Sequence, residues 1–306
     1  MDHAFELGGQ RGWAHDAGHR SGSFHTYDAL DVSRAFGPRK VHIFLPRGWA
    51  QAGRRYPVLY MHDGHTAFWP GGVAHQTWDV AGVLDELDDD VAPLIVVAVH
   101  PLDRDEEYTH VDWFPRMRSW GRLPEHADYF ADEIVGFVDA NYPTMARAPA
   151  RVVLGSSHGG LASFWTATRR PEVFGGAGCM SPSFFSGIDS MVDGLLPGSL
   201  QGSALLHGLE RTLSNRGRRP RLWIDWGLVR EGGEHNEIVE ALATIRGREM
   251  VGLLAGDFGY LTEWLSPGEV PVPGADLFVM EDPLAGHDER AWRARLGPFL
   301  TAFYGR

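Results

Sequence analysis

Five consecutive residues, Gly155-Ser156-Ser157-His158-Gly159, set a serine between glycines at the spacing G-x-S-x-G. A β-branched run, Val152-Val153-Leu154, leads into them, and a helix-capable segment from Leu161 to Arg170 follows. Strand, glycine-flanked serine, helix is the order in which that pentapeptide forms a nucleophile elbow. The chain must reverse so tightly there that little but glycine fits two residues either side of the serine. The turn lifts Ser157 Oγ above the sheet, and the helix N-terminus behind it favours the negative charge that develops in acyl transfer. The pentapeptide alone also occurs in glycine-rich turns without chemistry. The flanking strand and helix are what favour the catalytic reading.

A serine hydroxyl is almost never ionised at neutral pH, so Ser157 needs a base, and the base needs an orienting acid. In sheets that carry this elbow the chain order is serine, acid, histidine, with the histidine in a loop after the last strand. His287 holds that position, in Leu284-Ala285-Gly286-His287-Asp288-Glu289, and is the expected general base. The acid is expected beyond the strand at residues 221–226. Asp225 lies inside that strand, and Glu234 and Glu237 start a helix, where the macrodipole favours acids whatever the chemistry. Glu231 is the best single candidate among the four. The oxyanion hole needs two backbone N–H donors. One is expected from His158, and the other from Gly64 or His65, in the turn His62-Asp63-Gly64-His65. His62 and His65 could pair on a metal, but no third ligand stands at a metal-site spacing. Neither metal nor cofactor is therefore expected.

The elements that must position these groups follow from patterning. Lys40 to Pro46 alternates like a strand, while Tyr56–Met61 and Leu94–Val99 are apolar runs suited to strands buried on both faces. Further strands are expected near residues 174–180, 221–226 and 277–280. Helices are expected from Asp79 to Leu87, Glu125 to Asn141, Glu234 to Ile245, Met250 to Leu265 and Asp288 to Tyr304. Strands alternating with helices call for a mainly parallel sheet covered on both faces. Residues 1–36 read as an arm of uncertain order, although Phe24 to Val32 could be a strand. Residues 37–306 read as one domain, with insertions at about 181–219 and 246–275. The loop from His100 to Leu123 is long and aromatic, and such loops usually serve function. Among the 11 tryptophans, Trp69, Trp78, Trp113, Trp120 and Trp226 fall in or beside loops at the strand C-terminal ends. Open sheets bind ligands at that edge, so Trp69, Trp78, Trp113 and Trp226 are candidate walls of a substrate pocket. The alternative is that these rings pack insertions onto the sheet.

Composition bounds the partners. The net charge of -12 argues against nucleic acid and against anionic membrane surfaces. A single cysteine, Cys179, leaves no intramolecular disulfide and fits a reducing compartment. The first ten residues show no signal-peptide pattern, and no run approaches the length of a membrane span. A cytoplasmic protein is expected.

Several of these stretches together resemble the esterase family of the α/β-hydrolase superfamily, which includes enterochelin esterases, feruloyl and acetylxylan esterases and, more distantly, mycolyltransferases. The matching stretches are Val58 through Gly64, Trp78-Asp79-Val80, Arg104 through Thr109, Gly155 through Gly160, Ser181-Pro182-Ser183-Phe184 and Gly286 through Trp292. They run in the family's order from about residue 35 onward. The resemblance implies an α/β-hydrolase fold and acyl-ester hydrolysis through an acyl-enzyme on Ser157, with a small-molecule or glycan ester as substrate. The chain departs from the family after the penultimate strand. Members resemble Asp-x-Gly-Thr-x-Glu there, but Asp225 through Glu231 lacks the threonine and is one residue longer. The resemblance therefore does not assign the acid. Two other functions fit the same features: an acyltransferase with the same Ser-His machinery, and a non-catalytic binding module on the fold.

Overall fold

The computed structural model describes residues 2–72, 74–111, 121–189 and 198–306. Trp113 and Trp120 lie outside the described residues. The centre of the molecule is a sheet of 11 strands among the described residues. In chain order they are β1 (His3–Leu7), β2 (Gln10–His15), β3 (Gly22–Leu30), β4 (Arg39–Pro46), β5 (Val58–Met61) and β6 (Ile95–Val99). They continue with β7 (Arg151–Ser156), β8 (Gly176–Met180), β9 (Arg221–Gly227), β10 (Thr262–Leu265) and β11 (Leu277–Asp282). Their order across the sheet is β1-β2-β3-β4-β6-β5-β7-β8-β9-β11-β10. Pairing is antiparallel from β1 to β6 and parallel from there on.

The central strands are apolar at nearly every position because both faces are covered. Along β5, Val58 and Tyr60 enter one core and Leu59 and Met61 the other. Helices α1 (Gly64–Ala67) and α2 (Val80–Leu87) follow β5, and α3 (Arg104–Tyr108) follows β6. A single covering run comprises α4 (Leu123–Asp128), a π turn (Tyr129–Ile134) and α5 (Val135–Asn141). Helix α6 (His158–Arg169) follows β7, α7 (Glu210–Leu213) follows β8, and α8 (Glu240–Gly256) follows β9. Helix α9 (Glu289–Tyr304) closes the chain. Phe130, Ile134, Val138, Leu161 and Phe164 pack on one face; Val80, Leu84, Leu296, Phe299 and Leu300 pack on the other. Each such side chain contributes about 1.5–3 kcal/mol by leaving water. None of the described helices is long and apolar enough to cross a membrane.

Two segments differ from the sequence reading. Residues 1–36 do not form a loose arm, because β1 to β3 extend the sheet and Phe24, Tyr27 and Leu30 enter the core. The β1–β2 hairpin turns on Gly8-Gly9, both at positive φ (59° and 73°), as a two-residue turn requires. Residues 250–265 do not form a separate helix either. Their first part completes α8, and Thr262–Leu265 is the parallel edge strand β10.

Candidate active site

Strand order reverses at β5 and β7, with β6 lying on the other side of β5. Side-by-side loops at such a reversal open a crevice at the strand C-terminal ends. Ser157 follows β7 there with φ 54° and ψ −121°, a conformation that a non-glycine residue holds only under constraint. Its N–H donates to the Met180 carbonyl (2.9 Å), and its carbonyl accepts from Ser183 N–H (3.0 Å), so both flanks of the turn are braced by the β8 end. The flanking glycines are steric necessities. A Cβ on Gly155 would land on the Gly159 backbone, and one on Gly160 would crowd Met180 and Pro182.

Two helix starts face this corner. The first N–H groups of a helix lack intrahelical acceptors, and His158 opens α6 as Gly64 and His65 open α1. Asp63 takes the left-handed conformation (φ 54°) just before α1. Its N–H donates to Tyr108 Oη at 3.1 Å, and its carboxylate accepts two Arg104 hydrogen bonds at 2.8 Å each. Arg104 also donates to the Ser156 carbonyl at 3.3 Å. One guanidinium thereby ties the turn after β5 to the residue preceding Ser157. Gly64 presses on β6 so closely that a Cβ would stand 2.6 Å from the Ala98 carbonyl carbon.

His287 lies between β11 and α9, with its side chain 4% exposed. Its backbone N–H donates to Asn236 Oδ1 at 2.7 Å, and its ring meets the Trp292 edge and lies parallel to His235. Its Nδ1 contacts Glu240 Oε2 at 2.5 Å. Glu240, the first residue of α8, is fully buried. Its Oε1 accepts from Ser181 Oγ (2.9 Å) and from Gly227 N–H. Burial works against the Glu240 charge, but the hydrogen bond and charge of His287, Arg295 and the Gly227 N–H together hold its pKa below the usual value. An ionised carboxylate only accepts hydrogen bonds. Nδ1 must therefore carry the imidazole proton, which leaves Nε2 as the basic nitrogen.

The carboxylate on His287 is thus Glu240 and not Glu231, which is solvent-exposed; the Glu231 carbonyl accepts from Asn236 Nδ2 at 2.7 Å. Glu234 and Glu237 are exposed as well. Asp225 is fully buried but faces other partners: Trp223 Nε1 (2.7 Å), Ser181 N–H (3.2 Å) and Arg295 (3.2 Å). Burial raises its pKa, against the Arg295 charge. Asp288 caps α9 by accepting from Ala291 N–H at 2.9 Å. One signal for Glu240 was available. It shares a helix face with Ala243, Gly247, Met250 and Leu254, all buried, so it is an acid placed on an apolar stripe. A π turn, His235–Val239, precedes it and shifts the helical register, which periodicity does not reveal.

The proposed tryptophan walls are mostly interior. Trp226 is fully buried with Nε1 on Glu281 (3.1 Å), and Trp78 is 2% exposed against Trp292. Trp69 packs among His15, Phe24 and His42, on the antiparallel side of the sheet. Trp78 and Trp226 serve packing, whereas Trp69 is half-buried. His62 is likewise a packing ring: both nitrogens are buried without partners, it lies against Tyr108 and Phe130, and burial holds it far below its usual pKa. Cys179 is buried in β8, and no cluster of three metal-ligating side chains occurs among the described residues.

Known proteins resemble this chain on two levels. The family model described as "Putative esterase" matches residues 33–302. The endo-1,4-beta-xylanase/feruloyl esterase of Xylanibacter ruminicola is 30% identical over 150 residues, covering 46% of this chain and 19% of that protein. The uncharacterized protein YbbA of Bacillus subtilis is 23% identical over 155 residues, covering 49% of this chain and 58% of its own. These alignments span less than two thirds of the curated relatives. Among solved structures, a ferulic acid esterase superposes with a TM-score of 0.59 at 18% identity, covering 94% of this chain and 100% of its own. An IroE-like serine hydrolase from Shewanella oneidensis reaches 0.62 at 18% identity, covering 89% and 78%. The enterobactin esterase FES from Shigella flexneri reaches 0.57 at 19% identity, covering 92% and 59%. These structural likenesses establish the α/β fold, and the match over residues 33–302 establishes that the chain belongs to the esterase family.

Proposed function

We propose that this chain is a serine carboxylic-ester hydrolase that works through an acyl-enzyme on Ser157. The observation that carries the reading is the buried His287–Glu240 contact at the same sheet edge as the strained Ser157 turn. In this reading Glu240 fixes the Nδ1–H tautomer, and His287 Nε2 takes the Ser157 proton as Oγ attacks the acyl carbon. The N–H groups of His158 and of Gly64 or His65 receive the developing oxyanion. His287 then protonates the departing alcohol, and water repeats the sequence on the acyl-enzyme. No metal or cofactor enters these steps. The relatives, feruloyl and ferulic acid esterases among them, support aromatic acyl esters of small alcohols or glycans as the substrate class.

The test is fluorophosphonate labelling followed by intact mass, with hydrolysis of p-nitrophenyl acetate and methyl ferulate by wild type and Ser157→Ala. One adduct and turnover, both lost in Ser157→Ala, are expected. An adduct without hydrolysis, but with acyl transfer to an added alcohol, would replace the hydrolase by a transferase. Folded wild-type protein that takes no adduct would sink the serine reading in favour of a binding module.

A further inference from the structure

The Ser157 hydroxyl has a neighbour that the triad does not use. Ser183 Oγ lies 3.2 Å from Ser157 Oγ, and the same Ser183 Oγ lies 3.2 Å from His158 Nδ1. His158 Nε2 lies 3.4 Å from Ser186 Oγ. Ser183 and Ser186 are both fully buried, so the chain Ser157–Ser183–His158–Ser186 is fixed by the turn that follows β8. That turn is tied to the elbow by Ser183 N–H on the Ser157 carbonyl (3.0 Å) and closed by Ser186 N–H on the Ser183 carbonyl (3.0 Å).

The direction of this chain follows from proton counting. In the acyl-enzyme reading the Nδ1–H of His287 is committed to Glu240 and the Ser157 proton passes to His287 Nε2, so Ser157 Oγ can accept from its other side. Desolvation lowers the His158 pKa to about 3, so its ring is neutral, with one donor and one acceptor nitrogen. Ser186 O–H donating to Nε2 leaves Nδ1–H to donate to Ser183 Oγ, and Ser183 O–H then donates to Ser157 Oγ. Every hydrogen in the chain finds an acceptor, and the chain ends on the reacting oxygen.

Building on the acyl-enzyme reading above, we infer that Ser183 is a second catalytic hydroxyl, whose hydrogen bond to Ser157 Oγ speeds departure of that oxygen in deacylation, with His158 as its positioning residue. The ester oxygen of an acyl-enzyme is a weak acceptor. When water adds to the acyl carbon, His287 Nε2 takes the water proton. The tetrahedral adduct then collapses, the C–Oγ bond breaks, the carboxylic acid departs, and Oγ recovers its proton from His287. While that bond breaks, Oγ gains alkoxide character and becomes a strong acceptor, so a donor already in place favours the transition state over the acyl-enzyme. No proton leaves Ser183. In acylation Oγ starts as a hydroxyl, already a fair acceptor, so the advantage there is smaller.

The experiment compares wild type, Ser183→Ala and Ser183→Cys, the last keeping the volume while offering a weak donor. Each is first labelled with a fluorophosphonate, then mixed with excess p-nitrophenyl acetate. Rapid-quench intact mass follows formation and decay of the acetyl-enzyme. Both variants are expected to take the label and to acylate within about threefold of wild type. Their deacylation should slow about tenfold, the size of one hydrogen bond to a charged oxygen, so that acetyl-enzyme accumulates. His158→Phe should give the same partition, and the Ser183→Ala/His158→Phe double variant should lose less than the product of the single losses. Unlabelled wild type would overturn the serine reading and this inference with it. Labelled variants whose deacylation is unchanged, or whose acylation and deacylation fall in equal proportion, would overturn the role of Ser183 alone.

Discussion

Glu240→Gln is the substitution that most sharply tests the assignment of the acid. Glu240 Oε1 accepts two hydrogen bonds, from Ser181 Oγ and from Gly227 N–H, whereas among the described residues Oε2 is bonded to the His287 ring alone. A glutamine amide in the same place keeps its oxygen where two donors converge, which turns its NH2 toward His287 Nδ1. Nδ1 must then accept, and the ring proton moves to Nε2, where the base should be. The side-chain volume is preserved, so the loss is one of tautomer and charge and not of packing. Comparable inversions of the imidazole tautomer in serine hydrolases lower kcat by ~10⁴, equivalent to about 5.5 kcal/mol of barrier. The assay is steady-state hydrolysis of p-nitrophenyl acetate by folded Glu240→Gln, with Glu231→Gln as the paired control. Glu231→Gln should stay within about twofold of wild type, as exposed substitutions usually do. If Glu240→Gln kept more than about a tenth of the activity, or Glu231→Gln lost as much, the tautomer argument would be refuted.

Other outcomes follow from the same geometry. Gly64→Ala puts a Cβ 2.6 Å from the Ala98 carbonyl carbon and forces the turn after β5 to move. It should cost about 3 kcal/mol of barrier, roughly 10²-fold in kcat, with a smaller change in KM. Asp225→Asn leaves Arg295, which is 1% exposed, beside a neutral group. A stability loss of about 3 kcal/mol in urea denaturation is expected, with a catalytic loss far below that of Glu240→Gln; the reverse pattern would make Asp225 the acid. Acid should destabilise the fold through histidines buried in neutral form. Burial lowers His42 to about 3 and His110 to about 4, and each is 6% exposed. A histidine lowered in the folded state takes up its proton only on unfolding, so its stabilising contribution is whole above the unfolded pKa near 6.5 and declines as pH falls toward the folded value. Each contributes up to about 1.4 kcal/mol per pH unit, so the pair should cost about 2 kcal/mol between pH 6 and pH 5. Urea midpoints that stay level over that interval would contradict it.

How much of this was legible in advance depends on the range over which each feature is determined. The turn at Ser157 was legible because its requirement is local. Gly155, Ser157 and Gly159 stand within five residues, and the tightest demand of the elbow, a Cβ on Gly155 against the Gly159 backbone, acts within them. The place of His287 was legible because the order of strands assigns the expected base to the one loop between β11 and α9. The central strands were legible because burial on both faces makes them uninterrupted apolar runs, as in Val58–Met61 and Ile95–Val99.

Tertiary structure alone decided the rest. β1 and β2 have only one buried side, so Gln10–His15 alternates too weakly to stand out from a polar arm, and its pairing with β3 supplies what local propensity lacks. Trp78 and Trp226 sit beside loops in the chain, yet α8 and α9 close over them, and burial of a ring is set by what packs on it. The carboxylate on His287 is the clearest case. Strand β9 could have delivered Asp225, and the following loop Glu231, but Arg295 claims the first and solvent the second. Glu240 reaches His287 because a π turn rotates α8, so that the carboxylate of a residue 13 positions beyond Gly227 returns to accept the Gly227 N–H at the end of β9. That placement depends on helix register and on the packing of two distant segments, and neither quantity is written in any local stretch of chain.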